Sequence, residues 1–146
     1  MLARPIYPGF TDDRDFYEFI FVVYDREGYF GMPQNPSYTG KVARELLETY
    51  AAGSDQWHIQ IMRVMPNHIH ILLDVAEGTP EEQVRAMAEG FRMCVSEYFH
   101  PYLDGKDILH KDFHLRPVVR SRQYNLVYEH ISRNHCHYDK DEFCRW

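Results

Sequence analysis

The most constraining feature of this 146-residue chain is a pair of strand-like runs separated by only two residues. Residues 57–65 (WHIQIMRVM) and 68–75 (HIHILLDV) are rich in β-branched and other large apolar side chains, as buried strands are. Pro66 and Asn67 interrupt them, and both residue types favour turns. The pattern predicts an antiparallel hairpin, because two antiparallel strands can be joined by so short a connection.

The remaining segments predict three helices and two further strands around this hairpin. Residues 16–24 (FYEFIFVVY) have strand character, and residues 41–52 form a helix that ends at Gly53. Residues 108–119 contain a strand or hairpin, and residues 122–134 form the last helix. The order β, α, β, β, α, β, α predicts an α+β fold in which helices cover an antiparallel sheet of four to five strands.

The helix after the hairpin carries a clear start signal. Thr79 is suited to the N-cap, Pro80 to the first helical position and Glu82 to the third position of a capping box. Apolar residues then recur at helical spacing, which predicts a core stripe made of Val84, Met87, Ala88, Phe91, Val95 and Tyr98.

Length and composition exclude several classes of protein. The chain is long enough for one domain over residues 1–146 with a sizeable core. No apolar run approaches the roughly 18–20 residues of a membrane span, and the first ten residues lack the apolar stretch of a secretion signal. The three cysteines, Cys94, Cys136 and Cys144, have no CxxC spacing, so we expect neither a disulfide framework nor a zinc ribbon, and a reducing cytoplasm.

The net charge of −6 argues against strong non-specific binding to duplex DNA, but the charge is unevenly distributed. Between His110 and Arg133 five basic residues stand against two acidic ones, a net charge of +3. Any nucleic acid should therefore contact the C-terminal third, although the same charges would also suit an ordinary solvated face. The candidate DNA-binding residues are Lys111, His114, Arg116, Arg120 and Arg122.

The second strand of the hairpin places two histidines side by side. Side chains alternate along a strand, so His68, His70, Leu72 and Asp74 share one face, opposite an apolar face that must pack on a helix. Same-face neighbours stand about 6–7 Å apart, a gap that one cation can bridge. A third ligand would have to come from elsewhere, and two histidines on a half-exposed face can equally be plain polar residues.

Ten consecutive residues around these histidines, from Val64 to Leu73 (VMPNHIHILL), resemble the signature of the HUH tyrosine transposases. That family comprises the single-strand transposases of small insertion sequences and the REP-associated tyrosine transposases. The segments 111–114 (KDFH) and 119–121 (VRS) are similar to the family's sequence before its last helix. The resemblance covers roughly residues 16–135 and implies a ferredoxin-like or RRM-like HUH core.

The resemblance also implies an activity: an endonuclease and transposase that cleaves and rejoins single-stranded or hairpin DNA during DNA transposition. Mg²⁺ or Mn²⁺ would be held by His68, His70 and the amide of Asn134, and would polarise the scissile phosphate. A tyrosine on the last helix would attack phosphorus and store the bond as a 5′-phosphotyrosine. Insertion-sequence relatives exchange the last helix within dimers while REP-associated relatives are often monomers, so both a homodimer and a monomer remain open.

The chain departs from the family at the nucleophile. In residues 130–135 (HISRNH), His130 stands where the family has its tyrosine, and Asn134 fits the amide one helical turn later. One interpretation is that Tyr128 or Tyr124 serves instead. A second is that His130 acts as metal ligand or nucleophile, either here or in a metal hydrolase unrelated to transposition. A third is a domesticated module that binds DNA or RNA hairpins and has lost nuclease activity.

Overall fold

The computed structural model describes residues 9–25 and 27–133. Four strands form the main sheet in the order β4-β5-β1-β6, and every neighbouring pair is antiparallel. In chain order the elements are β1 (Arg14–Val22), β2 (Gly31–Met32), β3 (Asn35–Pro36), α1 (Tyr38–Ala52), β4 (Trp57–Met65), β5 (His68–Ala76), α2 (Glu81–Phe99), a 3₁₀ turn (His100–Tyr102), β6 (His114–Val118) and α3 (Ser121–Ser132).

This architecture confirms the predicted α+β fold and its four-stranded antiparallel sheet. The order β1-α1-β4-β5-α2-β6 is the ferredoxin-like arrangement, with α3 added after the last strand. The small β2–β3 hairpin lies in the loop between β1 and α1 and was not predicted. None of the helices among the described residues is both long and apolar enough to cross a membrane.

Two predictions about helix ends and faces were wrong. The hydroxyl of Thr79 donates to the carbonyl oxygen of Ala76 at 2.6 Å, so it does not cap α2, which begins at Glu81 after Pro80 in the N-cap position. The predicted core stripe of α2 is buried except for Tyr98, which is 42% exposed. Near the end of the helix, the ring of Tyr98 makes an edge-to-face contact with that of Phe99.

The two faces of the sheet are covered by different helices. Helices α1 and α2 pack on one face, whose core includes Phe19, Phe21, Ile71 and Phe91, all with no exposed surface. Helix α3 packs on the other face, where its buried residues Tyr124, Val127 and Ile131 meet Phe16, Leu72 and Val118. The histidine face of β5 therefore lies on the α3 side of the sheet.

A β-bulge in β4 changes which of its residues reach α3. His58 pairs with Asp74 and Ile59 with Leu73, but the next paired residue is Ile61, opposite Leu72. Gln60 is the extra residue of the bulge, which shifts the alternation of side chains by one position. As a result His58 lies before the shift and Ile61 after it, yet both face the α3 side.

Candidate functional site beneath the last helix

His68 and His70 lie in the interior, between the sheet and α3. Their exposed fractions are 0% and 2%, so the alternative in which they are plain polar residues on a half-exposed face does not hold. On the α3 side Ile131 is also buried, and the ring of His130 lies against that of His70. The alternation that placed both imidazoles on one face of β5 is as predicted, because they pair with Val22 and Ile20 on the same face of β1.

The turn between β4 and β5 orients His68. The side-chain oxygen Oδ1 of Asn67 accepts a hydrogen bond from Nδ1 of His68 at 3.0 Å. The carbonyl oxygen of Asn67 in turn accepts from the backbone N–H of Val23 at 2.9 Å, which ties the turn to the end of β1. Asn67 is thus a part of the site that sequence reasoning treated only as a turn residue, although it stands inside the transposase-like motif.

A buried glutamate binds His70. Glu18, in the middle of β1 and only 4% exposed, accepts hydrogen bonds from Nε2 of His70 and from Nε of Arg116. Burial raises the pKa of the Glu18 carboxyl, but the hydrogen bonds and charges of His70 and Arg116 outweigh this and hold the pKa below its usual range. Burial lowers the pKa of His70 despite the nearby carboxylate, with His130 and His68 adding to the effect. The pair at neutral pH is therefore a carboxylate beside a neutral imidazole.

His130 is the residue of α3 that approaches the pair. Its ring centroid lies 5.5 Å from that of His70, with the rings at 64° to one another, while its own side chain is exposed. The exposed ring of His130 therefore lies beside the buried ring of His70. Asn134, the predicted amide ligand, lies outside the described residues.

The two tyrosines of α3 differ in accessibility. Tyr124 is fully buried, and its hydroxyl donates to Oε1 of Gln60 at 2.8 Å. Burial, with Tyr128 and Asp74 adding to it, raises the pKa of Tyr124, which makes its hydroxyl a poor nucleophile. Tyr128 is half-buried and stacks on Tyr124 with ring centroids 6.0 Å apart. Of the two, Tyr128 is the better placed to meet a substrate.

A second polar centre lies further along the same face. Asp74 is 4% exposed and accepts from Nε of Arg14 at 2.9 Å and from Nδ1 of His58 at 3.0 Å. Gln60 also donates to Asp74 while it accepts from Tyr124, so the bulge residue links the carboxylate to α3. This centre has a structural role, because each of its buried polar groups forms a hydrogen bond with a neighbouring side chain.

The candidate DNA-binding residues are all at the surface, but their surroundings differ. Arg116 is held by Glu18, and its guanidinium is still largely exposed. Arg120 and Arg122 lie at the start of α3. Lys111 precedes β6, His114 is its first residue, and both are exposed.

Sequence reasoning did not single out one further basic residue, Arg63 of β4. Its Nη2 donates to the carbonyl oxygen of Ser132 at 3.2 Å and so fixes the end of α3.

Within the part of the chain that the structure describes, no three His, Cys, Asp or Glu side chains are arranged to hold a metal ion. One buried atom that could bind a ligand nevertheless has no hydrogen-bond partner among the described residues. Nδ1 of His70 accepts no hydrogen bond from any described residue. A lone pair buried in this way fits a ligand that the protein alone does not supply.

A ferredoxin-like sheet with a His-x-His pair buried beneath α3 has counterparts among solved structures. The chain is similar to a candidate transposase from Deinococcus radiodurans at 16% identity, covering 92% of this chain and 98% of that one, with a TM-score of 0.54. It is also similar to a REP-associated tyrosine transposase bound to a REP hairpin at 14% identity, covering 94% of this chain and 74% of that one, with a TM-score of 0.61. No known family profile and no curated protein matches the chain. The predicted resemblance to the HUH tyrosine transposases is thus confirmed at the level of the fold.

Proposed function

We propose that this protein is a transposase-like DNA-processing domain that binds single-stranded or hairpin DNA at the end of α3, where the exposed His130 lies beside the buried histidine pair. The observation that carries the proposal is the approach of His130 to His70, with 5.5 Å between ring centroids, in a fold shared with a hairpin-bound transposase. The helix position that supplies the nucleophile in the resembling family lies here beside the paired imidazoles. Arg116, which is largely exposed and binds Glu18 next to His70, supplies charge that phosphates need.

A divalent cation, Mg²⁺ or Mn²⁺, suits the site. His68 and His70 would hold it together with Asn134, and the supporting observation is that Nδ1 of His70 is buried with no partner among the described residues. Such an ion neutralises charge on a phosphate and makes phosphorus easier to attack.

The chain's own contribution to strand cleavage would be a nucleophile on α3. Tyr128 Oη or a ring nitrogen of His130 would attack phosphorus and form a covalent bond to the 5′-phosphate, while the bond from phosphorus to the 3′-oxygen breaks. The 3′-oxygen leaves with a proton as a free hydroxyl. Attack by a 3′-hydroxyl on the same phosphorus reverses the step and rejoins the strand without any external energy source.

A second candidate function is DNA-hairpin binding without cleavage. The specific observation in its favour is the burial of both imidazoles, together with the hydrogen bond that Glu18 already makes to His70. The loss of tyrosine at position 130 and the locked hydroxyl of Tyr124 point the same way. In this case the exposed cations would bind the phosphates and the histidine pair would be a structural remnant.

One experiment separates these functions. Labelled single-stranded hairpin DNA is incubated with the full chain and Mn²⁺ and analysed on native and denaturing gels. An adduct that survives denaturation and disappears in Tyr128→Phe or His130→Ala identifies the nucleophile, and acid distinguishes the two because a phosphohistidine bond is acid-labile while phosphotyrosine is stable. Tyr102→Phe, an exposed tyrosine in the 3₁₀ turn, is the matched control and should keep the adduct.

DNA that is shifted on the native gel but never cut supports the second candidate. Failure to bind either single-stranded or hairpin DNA contradicts both candidates. If binding is present, replacing Lys111, Arg120 and Arg122 by glutamine should weaken it and reduce its dependence on salt concentration, because fewer counterions are then released.

A further inference from the structure

Glu18 is an unusual residue for its position. It stands at the centre of β1, in a run of aromatic and aliphatic residues, and is buried to 4% exposure. A buried carboxylate is costly unless it is paired and hydrogen-bonded. Its two oxygens meet that need on two neighbouring strands: Oε2 accepts from His70 on β5, and Oε1 accepts from Arg116 on β6.

These contacts determine where the proton of His70 lies. A carboxylate only accepts hydrogen bonds, so Nε2 of His70 must carry the hydrogen that Glu18 receives. A neutral imidazole has one N–H, which leaves Nδ1 of His70 with a lone pair. That atom is buried and accepts no hydrogen bond from the described residues. Its lone pair can therefore bind a ligand other than Glu18 and Arg116.

His68 shows the complementary arrangement. Its Nδ1 donates to Oδ1 of Asn67, so its lone pair is on Nε2. The two histidines thus have opposite tautomers, each fixed by its own acceptor. Hydrogen bonds of this kind to the second ring nitrogen are how proteins orient histidine ligands and raise their basicity.

We propose that Glu18 is a positioning residue that locks His70 in the Nε2–H tautomer and thereby presents Nδ1 as the ligand atom for a divalent cation. The inference rests on the proposed function, because the cation is the one that DNA processing would use. Arg116 has a share in this role: by binding the second oxygen of Glu18 it keeps the carboxylate ionised and correctly turned.

The tautomer can be measured without DNA or metal. Long-range ¹⁵N–¹H correlation spectra of the uniformly labelled full chain at pH 8 distinguish a protonated Nε2 from a protonated Nδ1. We expect His70 to show the Nε2–H form and His68 the Nδ1–H form in the unsubstituted protein. In Glu18→Gln the amide can donate as well as accept, so we expect His70 to populate both tautomers. A single Nδ1–H form of His70 in the unsubstituted protein would overturn the proposal without recourse to any variant.

Metal affinity provides the second measurement. Mn²⁺ binding, followed by the loss of the free-ion electron paramagnetic resonance signal, should weaken about 10- to 100-fold in Glu18→Gln, as is typical when a partner of a metal-binding histidine is removed. The matched control is Asp74→Asn, because Asp74 is equally buried on the same face and also binds an arginine and a histidine. It touches neither His68 nor His70, so the control should keep the Mn²⁺ affinity of the unsubstituted protein.

The outcomes separate this inference from the proposed function. Equal losses of Mn²⁺ affinity in both variants, or none in Glu18→Gln, would contradict the positioning role. If the unsubstituted protein binds no Mn²⁺, metal-dependent cleavage fails and so does the ligand role of Nδ1, whatever tautomer the spectra show. If Mn²⁺ and tautomer behave as expected but no DNA is bound, the positioning role stands and the proposed function falls.

Discussion

The two faces of β5 are both buried, yet burial has opposite effects on the free energy of folding at each face. On the face under α1 and α2, Ile71 and Leu73 are buried among other apolar groups, and burial stabilises them roughly in proportion to area. On the face under α3, His68, His70 and Asp74 are buried to the same degree, and there burial costs free energy unless each polar group has a partner. The comparison teaches that one strand can bury apolar side chains on one face and hydrogen-bonded polar side chains on the other.

The largest effect should come from the apolar face. Phe91 of α2 has no exposed surface and packs against Tyr50 and Trp57 as well as the sheet. Phe91→Ala should lower the free energy of unfolding by about 3–5 kcal/mol, because it removes a large side chain and leaves a cavity. Urea unfolding followed by circular dichroism measures this. A loss below about 1 kcal/mol would mean that this face does not dominate stability.

A smaller loss is expected under α3. Ile131→Ala should lower the free energy of unfolding by about 2–3 kcal/mol, since a single helix can settle onto the space more easily than a layer of two. The same variant should speed modification of His68 and His70 by diethylpyrocarbonate, with the exposed His58 as internal reference. Leu126→Ala, on the exposed side of α3, should change stability by less than about 0.5 kcal/mol. Unchanged labelling in Ile131→Ala would show that α3 is not the cover of the pair.

Acid should destabilise the polar face through His70 and Glu18. Because burial lowers the pKa of His70, the unfolded chain binds a proton near pH 6.5 that the folded protein does not take up. Stability should therefore fall as the pH drops below about 6.5, by at most about 1.4 kcal/mol per pH unit for this group. The Glu18 carboxyl, whose pKa is lowered, contributes stability above its unfolded value near 4.3 and loses it at still lower pH. Urea unfolding at pH 7.5 and 5.5 should show a smaller difference for His70→Asn than for the unsubstituted protein; equal differences would contradict this assignment.

The smallest effect should come from one hydrogen bond. Tyr124→Phe keeps the ring packed on Phe16 but removes the donor to Gln60, which should cost about 1 kcal/mol. Thermal unfolding against Tyr102→Phe, whose hydroxyl is at the surface, is the measurement. A Tyr124→Phe protein as stable as the unsubstituted one would mean that the hydroxyl contributes nothing net to the polar face.

The sequence was sufficient for the strands of the main sheet, for the three helices and for one face of the sheet. Residues 57–65 form β4 as predicted, and the alternation along β5 correctly separated its apolar residues from His68, His70 and Asp74. Such patterns are local, because the period of two is fixed by strand geometry. The boundary of α1 was missed by three residues because Ser37 caps it through the backbone N–H of Gly40.

What the sequence could not predict depends on contacts between distant residues. Glu18 and His70 are 52 positions apart and meet only because β1 and β5 pair in the register that sets Ile20 opposite His70. A hint was present all the same: Glu18 is the one charged residue in the apolar and aromatic run 16–23, and a buried carboxylate needs a partner. The position of α3 over the histidine face could not be predicted either, because nothing in residues 122–134 specifies which face of the sheet they cover.

The bulge at Gln60 has a consequence for how such a domain can change over time. By taking up one extra residue, β4 gains a polar group on the α3 side while Ile59 and Met62 keep their places opposite Leu73 and Ile71. An added or lost residue here would alter the polar contacts under α3 and leave the hydrophobic layer intact. The strand thus offers a tolerant point at which the polar groups under α3 can change without rebuilding the scaffold.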